Sequence, residues 1–414
     1  MQHAEKMTPS GSGLRIGLTC IPIFLLAGFC FGQTASSPSP SGSRPTTHVL
    51  TNWNQFHRHE MTRYNPYEKF LTVNNVGNLG MKWLFPTNGW VQSSPAVVNG
   101  VVYIGGGNAN VNIYALDAHT GHKLWSYPAG GEVYSSPAVA SGVVYVGSLD
   151  GNVYALNART GAKLWSYTTG ARVFSPPSVA SGVVYVGSED YNVYALNART
   201  GAKLWSYTTG GAVDASPAVV KGVVYVGSTE YYGSEGKNLY ALNAMTGALL
   251  WSYAAGCDSD GTCGVGSSPS VANGVVYVGS QDDNVYALNA RTGHKLWSYT
   301  AEAYVNSSPA VANGVIYVGG GDGYVYALDA LTGAKLWNYA THAYVLSSPA
   351  VANGVVYVGS EDGSVYALSA RTGAKLWSYA NLGQEDSSPA VVNGVVYVGS
   401  YQGLYAFSLK HGQE

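Results

Sequence analysis

SSPAVANGVVYVGSEDGSVYALSARTGAKLWSY, residues 347–379, decides the fold, because close copies of it recur along most of the chain. Its proline recurs as Pro95, Pro137, Pro177, Pro217, Pro269, Pro309, Pro349 and Pro389. Its tryptophan recurs as Trp83, Trp125, Trp165, Trp205, Trp251, Trp297, Trp337 and Trp377. Eight of each mean eight units. Each unit holds four short runs rich in Val and Tyr, which in the third copy are residues 178–180, 183–186, 193–196 and 203–207. Turn residues separate the runs: Asp150-Gly151, Asp362-Gly363 and the Thr160-Gly161 copies tolerate the positive φ of tight turns. Four strands in a repeat of about forty residues describe one blade of a β-propeller. The expected fold is therefore all-β, an eight-bladed propeller of four-stranded antiparallel blades.

The two ends of the repeat region indicate how the ring closes. The last unit reaches Tyr405-Ala406-Phe407 without a fourth strand, and the missing strand stands at the other end, as Gly80-Met81-Lys82-Trp83-Leu84-Phe85. Pairing that strand into the last blade leaves no open sheet edge between first and last blades. One large ring at a fixed place in every blade is what blade-to-blade packing requires, so the eight tryptophans are expected to be structural docking residues. Asn157, Asn197, Asn243 and Asn289, with Asp117 and Asp329, precede the Thr-Gly turn and are expected to bond nearby backbone.

Outside the repeat, residues 1–32 read as an export signal, with Lys6 and Arg15 ahead of the apolar run 16–31. That run is short for a membrane span and is interrupted by Pro22. Leu26-Ala27-Gly28 approaches a lipoprotein signal, but Phe29 separates it from Cys30, leaving ordinary cleavage or an uncleaved anchor. Residues 33–48 form a Ser/Pro/Thr linker with nothing to bury, 49–79 a lead-in segment, and 80–412 the propeller. Once a signal is removed, Cys257 and Cys263 are the only cysteines, and in an exported chain they are expected to pair. A formal net charge of −2 with 11% charged residues argues against a nucleic-acid partner. A monomer is expected.

Eight internal copies separate what the fold needs from what is free to vary. The turns between first and second and between third and fourth strands are uniform, as in Asn99-Gly100, Ser141-Gly142 and Asn273-Gly274. Insertions fall on the opposite face: residues 108–110 in blade one, 229–237 (TEYYGSEGK) in blade four, and 256–264 (GCDSDGTCG) leading into blade five. Insertions confined to one face of a repeat array mark the binding face. On that face, Trp90, Glu132, Arg172, Ala212, Gly264, Tyr304, Tyr344 and Gln384 stand five residues before each repeat proline. Gln92, Tyr134, Phe174, Asp214, Gly266, Asn306, Leu346 and Asp386 stand three before it. Between the two rows lies Val in seven copies and Glu385 in the eighth, so strand alternation turns both variable rows to one side. These rows are expected to line the channel mouth, where aromatics, Arg172, Asp214, Asp386 and amides would hold a small-molecule ligand or a protein partner. No catalytic residue and no metal site is expected. His57-Arg58-His59-Glu60 lacks a third ligand fixed by spacing, and Asp258-Ser259-Asp260-Gly261 lacks the further ligands of a calcium loop.

The unit 347–379 resembles the pyrroloquinoline-quinone (PQQ) repeat, and its A-x-T-G-x-x-x-W resembles the tryptophan-docking motif of quinoprotein alcohol dehydrogenases. The resemblance spans residues 80–412, and Trp53 to His57 with Tyr64 to Tyr67 resembles the segment that precedes such propellers. Dehydrogenases of this kind hold PQQ and a calcium ion at the channel mouth, so the resemblance implies those cofactors as an alternative to none. The adjacent Cys-Cys pair of many such enzymes, a haem motif and their long insertions are absent from this sequence. A second resemblance is to the non-catalytic propeller lipoprotein of outer-membrane β-barrel assembly. The expected function is an exported, non-catalytic binding or scaffold propeller, with the dehydrogenase as the alternative.

Overall fold

The repeat's outer turn shows why its sequence is so constant. Asn197 Oδ1 accepts the backbone N–H groups of Arg199 and Thr200, and Asn157, Asn243, Asn289, Asp117 and Asp329 do the same in their own turns. Gly201, at φ +75°, lies against Trp165 of the preceding blade, where an added Cβ would come within 2.7 Å of the indole. Only glycine combines that dihedral with so close an approach. The same indole donates to Ala198 O at 3.0 Å, and Tyr145 Oη donates to that carbonyl as well. Each blade thus docks a tryptophan and a tyrosine onto one carbonyl of the next, burying about 150–250 Å² per ring.

The computed structural model describes residues 52–58, 61–107, 111–231, 238–383 and 386–410. The signal and linker assigned to 1–32 and 33–48 lie outside these, as do 108–110 and most of the 229–237 insertion. Eight antiparallel four-stranded sheets form the propeller. Blade three, typical of the rest, comprises Ser178–Ala180, Val183–Gly187, Asn192–Asn197 and Lys203–Thr208, from innermost to outermost strand. Each innermost strand touches the next around the ring, including the pair from blades eight and one. Closure follows the sequence expectation. Leu79–Pro86 pairs with Gly403–Leu409, with Trp83 opposite Ala406, and Trp83 then docks onto Ala118 O of blade one. Serine side chains tie the inner ring across the same boundary, Ser387 Oγ to Ser93 O and Ser388 N–H to Ser94 Oγ.

The seam between blades seven and eight departs from the rule. Blade eight has no outer Thr-Gly turn, so Trp377 donates instead to Leu79 O, at 3.1 Å. Tyr357 keeps its buried hydroxyl without a hydrogen-bond partner among the described residues.

The lead-in is the largest departure from a plain ring. Trp53 exchanges both backbone hydrogen bonds with Val97 of blade one. Val139 N–H then donates to Asn54 O, and Val179 N–H to the Gln55 side chain. Further along, Val271, Val311 and Val351 donate to Met61 O, Thr62 O and Arg63 O. Tyr64–Asn65 pairs in parallel with Val351 and Ala352, and Asn65 Nδ2 donates to Val391 O. The segment therefore threads the channel and closes it, using the inner-strand amides and carbonyls that would otherwise lack partners. It leaves over the first-to-second turns of blades seven and eight, where Glu68 accepts Gly394 N–H and Asn353 donates to Leu71 O.

Candidate functional site

A valine wedge positions the mouth. Val91, Val133, Val173, Val213, Val265, Val305 and Val345 are buried between neighbouring blades. Each donates its N–H to the second-to-third turn of the preceding blade, as Val213 does to Ser188 O. The glycine ending each second strand accommodates them; a Cβ on Gly187 would meet Val213 Cγ1 at 2.2 Å. Of the residues flanking this buried row, Trp90, Gln92, Glu132, Tyr134, Phe174, Tyr304 and Asn306 are half-buried, while Arg172, Asp214 and Tyr344 are exposed.

Two groups form on opposite sides. On blades six to one, Tyr304 and Tyr344 meet edge-on at 6.2 Å, Gln92 Nε2 donates to Asp386 Oδ2 at 3.3 Å, and Trp90 lies 5.1 Å from Tyr401. Asp386 is pushed up to about 6, by burial first and then by Glu361 beside it. Its second carboxylate oxygen is buried without a partner among the described residues. On blades two to four, Tyr134 stacks on Phe174 at 5.9 Å, and burial followed by Glu132 raises the Tyr134 phenol to about 12. Asp214 is likewise raised to about 6, by the protein crowding it and then by Glu189, although its surface still meets water. Asn306 sits against Gly266 with its carbonyl oxygen buried and unpartnered among the described residues, and Gln384 lies outside them.

These residues thus bring together aromatic rings and two separate groupings of acids, Asp214 with Glu189 and Asp386 with Glu361. Burial and a neighbouring acid both favour the protonated carboxyl of Asp214 and of Asp386. Glu189, Glu361 and Tyr401 belong to this lining and were missed in the two sequence rows. They occupy the second residue after the glycine that ends each second strand, a third varying position that reads Gly107, Leu149, Glu189, Thr229, Gln281, Gly321, Glu361 and Tyr401 across the copies.

Around the mouth, Thr229–Tyr231 pairs with Thr262–Gly264 in a small extra sheet, and Cys257 and Cys263 form the expected disulfide at its hairpin. Asp258 Oδ1 accepts the N–H groups of Asp260 and Thr262, so this acid shapes the hairpin tip. His57 is fully buried in the lead-in and held down at about 3, by burial and then by Arg63. His59 lies outside the described residues. Among the described residues, no group of three His, Cys, Asp or Glu side chains converges as a metal site. Nor is any helix long and apolar enough to cross a membrane, among those residues.

The family model described as outer membrane protein assembly factor BamB matches residues 80–135, 110–262, 211–308 and 240–414. No curated protein sequence matches. Among solved structures, a europium-containing methanol dehydrogenase superposes with a TM-score of 0.73 at 18% identity, over 88% of this chain and 99% of that one. BamB from Moraxella catarrhalis gives 0.67 at 21%, over 80% and 98%. The quinohemoprotein alcohol dehydrogenase from Comamonas testosteroni gives 0.73 at 17%, over 88% and 81%. At these identities the structures establish the shared fold alone.

Proposed function

The chain belongs to the PQQ-like repeat propeller family whose model is described as outer membrane protein assembly factor BamB, and on that premise we propose that it is an exported, non-catalytic scaffold. Its partner, a protein of envelope assembly, docks on the face carrying the blade one and blade four/five insertions. The observation that carries this reading is the added sheet of Thr229–Tyr231 and Thr262–Gly264, pinned by a disulfide beside the mouth. It enlarges and stiffens one face only, which suits binding to a large partner. Export rests on the charge and apolar pattern of residues 1–32.

The chemistry of the mouth also supports a non-catalytic role. Calcium takes six to eight oxygen ligands. Here the carboxyl groups are split into pairs on blades three/four and seven/eight, and no third acid joins either among the described residues. The two cysteines close a hairpin rather than forming an adjacent pair. These donors do not fit a calcium-bound quinone.

The purified chain, mixed with PQQ and Ca²⁺, should give no saturable quinone absorbance, no rise in melting temperature and no dye-linked alcohol oxidation. A saturable spectrum with turnover would establish the dehydrogenase instead. For the docking face, deletion of residues 229–237 should abolish recovery of envelope-assembly proteins in pull-downs, and Arg172→Ala with Asp214→Ala should weaken it. Unchanged recovery in both variants would rule this face out.

A further inference from the structure

A second concave surface lies on the opposite face, where the lead-in meets the closing strand. It encloses about 750 Å³, and Phe70, Met81, Lys82, His119 and Lys410 are among its lining residues. That volume is within the range of ligand pockets. Lys82 Nζ stands 3.4 Å from His119 Nδ1, so blades eight and one bring two basic groups to one spot. Lys410 lies across Gly80, where an added Cβ would come 3.0 Å from its Cε. Among the described residues no acidic side chain lines the groove. Phe70 and Met81 beside it are 63% and 52% exposed.

The internal copies show how unusual this is. Every outer strand bulges one residue before its tryptophan. Seven blades place a leucine at the bulge (Leu124 and Leu164, for example), and blade eight alone places a lysine there, Lys82. One residue earlier, six blades carry lysine and blade four Leu249, whereas blade eight carries Met81. The exchange moves an ammonium group onto the bulge and a flexible thioether into the former lysine place.

Leu79–Pro86 is also an outermost strand, with one side free of any sheet partner. Unpaired strand amides beside a groove suit an extended chain. The acids next to the groove, Glu68 and Asp117, are taken up by backbone N–H groups of Phe70, Leu71 and Gly394 and of His119 and Thr120, so Lys82 and Lys410 call for a negatively charged occupant, and the exposed Phe70 and Met81 for an apolar one. A concave surface favours a peptide over a flat bilayer. From these features we propose that the groove binds an acidic peptide segment of a partner protein. Its carboxylates meet Lys82 and Lys410, and an aliphatic or aromatic residue packs between Phe70 and Met81. This site is independent of the mouth, so either can fail without the other.

The test uses the full chain and a fluorescein-labelled, capped Glu-Phe-Glu-Leu-Glu peptide, read by anisotropy, with Arg-Phe-Arg-Leu-Arg as its opposite. The acidic peptide should bind at least about tenfold more tightly than the basic one and weaken as salt rises. Lys82→Glu with Lys410→Glu should lower its affinity at least about tenfold. Lys163→Glu with Lys203→Glu, the same charge change on regular blades, should leave it unchanged, with both variants melting near the parent. Equal binding of both peptides, or equal loss in both variants, overturns the site. Binding of anionic phospholipid vesicles that is lost in the seam variant, without peptide binding, overturns the peptide and assigns a membrane surface.

Discussion

The two ends of the channel use buried charge in opposite ways. At the closed end, Arg63 is fully buried and its guanidinium donates to Phe56 O, Ser348 O, Pro349 O and Pro389 O. The rings of Phe56 and Trp53 flank it at 4.6 and 5.4 Å. Among the described residues, carbonyl dipoles and aromatic faces answer this charge, and the planar fork suits several acceptors at once. At the open end, carboxyl groups crowd each other beside solvent. A charge fully paired with backbone holds a structure together. At the mouth, burial and a neighbouring acid instead keep Asp214 and Asp386 protonated up to about pH 6.

The largest expected difference between the ends follows from that contrast. Arg63→Ala should cost about 3–5 kcal/mol, because four inward-facing carbonyls lose their donor. Arg63→Lys should recover only part of this, since one ammonium cannot serve the same fork. At the mouth, Arg172→Ala should change stability by less than about 0.5 kcal/mol. Denaturant midpoints of the three variants measure the contrast directly.

Acid comes next in size. His57 holds its pKa near 3 when folded, against 6.5 ordinarily, so the unfolded chain takes up a proton that the folded one refuses. Its contribution is complete above pH 6.5 and is lost as pH falls toward 3, by up to roughly 4 kcal/mol. The sign reverses at the mouth. Asp214 and Asp386 keep their protons to about 6 when folded, against 3.8 ordinarily, so their contribution declines as pH rises from about 4 to 6. Stability measured between pH 4 and 7 should lose its acid-side fall in His57→Leu. In Asp214→Asn with Asp386→Asn, that fall should steepen.

A matched pair of glycines refines the account of the repeat. Gly161 and Gly142 have similar dihedrals, φ +73° and +77°. A Cβ on Gly161 would press into Trp125 at 2.7 Å, while one on Gly142 would meet nothing within 4 Å. Gly142→Ala should therefore cost about 1 kcal/mol for its dihedral alone, and Gly161→Ala about 2–4 kcal/mol. Equal melting temperatures would show that the tryptophan docks more loosely than its geometry indicates. A further effect is expected on the face that carries the insertions. Cys257→Ser with Cys263→Ser should lower stability by less than about 2 kcal/mol, because the closed loop is short. Proteolysis near residues 256–264 should rise.

The ring was legible because eight copies spell it eight times. Pro, Trp and Thr-Gly spacings gave blade number, strand order and the closing strand at Trp83, and the two separated cysteines gave their pairing. The lead-in was not legible beyond its presence before the propeller. It occurs once, and it bonds to backbone amides such as those of Val139 and Val311, which carry no side-chain signal. The mouth was partly legible. Alternation around the valine row assigns Trp90 through Asp386 to the mouth, but Glu189 and Glu361, which lie beside Asp214 and Asp386, come from a different turn. Their pairing with Asp214 and Asp386 depends on two chain segments meeting, which one repeat read alone does not reveal.

Hydrogen exchange at individual amides tests the claim that the channel is a blind pit. Val139, Val271, Val311 and Val351 donate to lead-in carbonyls, so their amides should exchange as slowly as those of the second strands. Exchange within seconds at these four valines, with the second strands protected, would mean that the lead-in leaves the channel open.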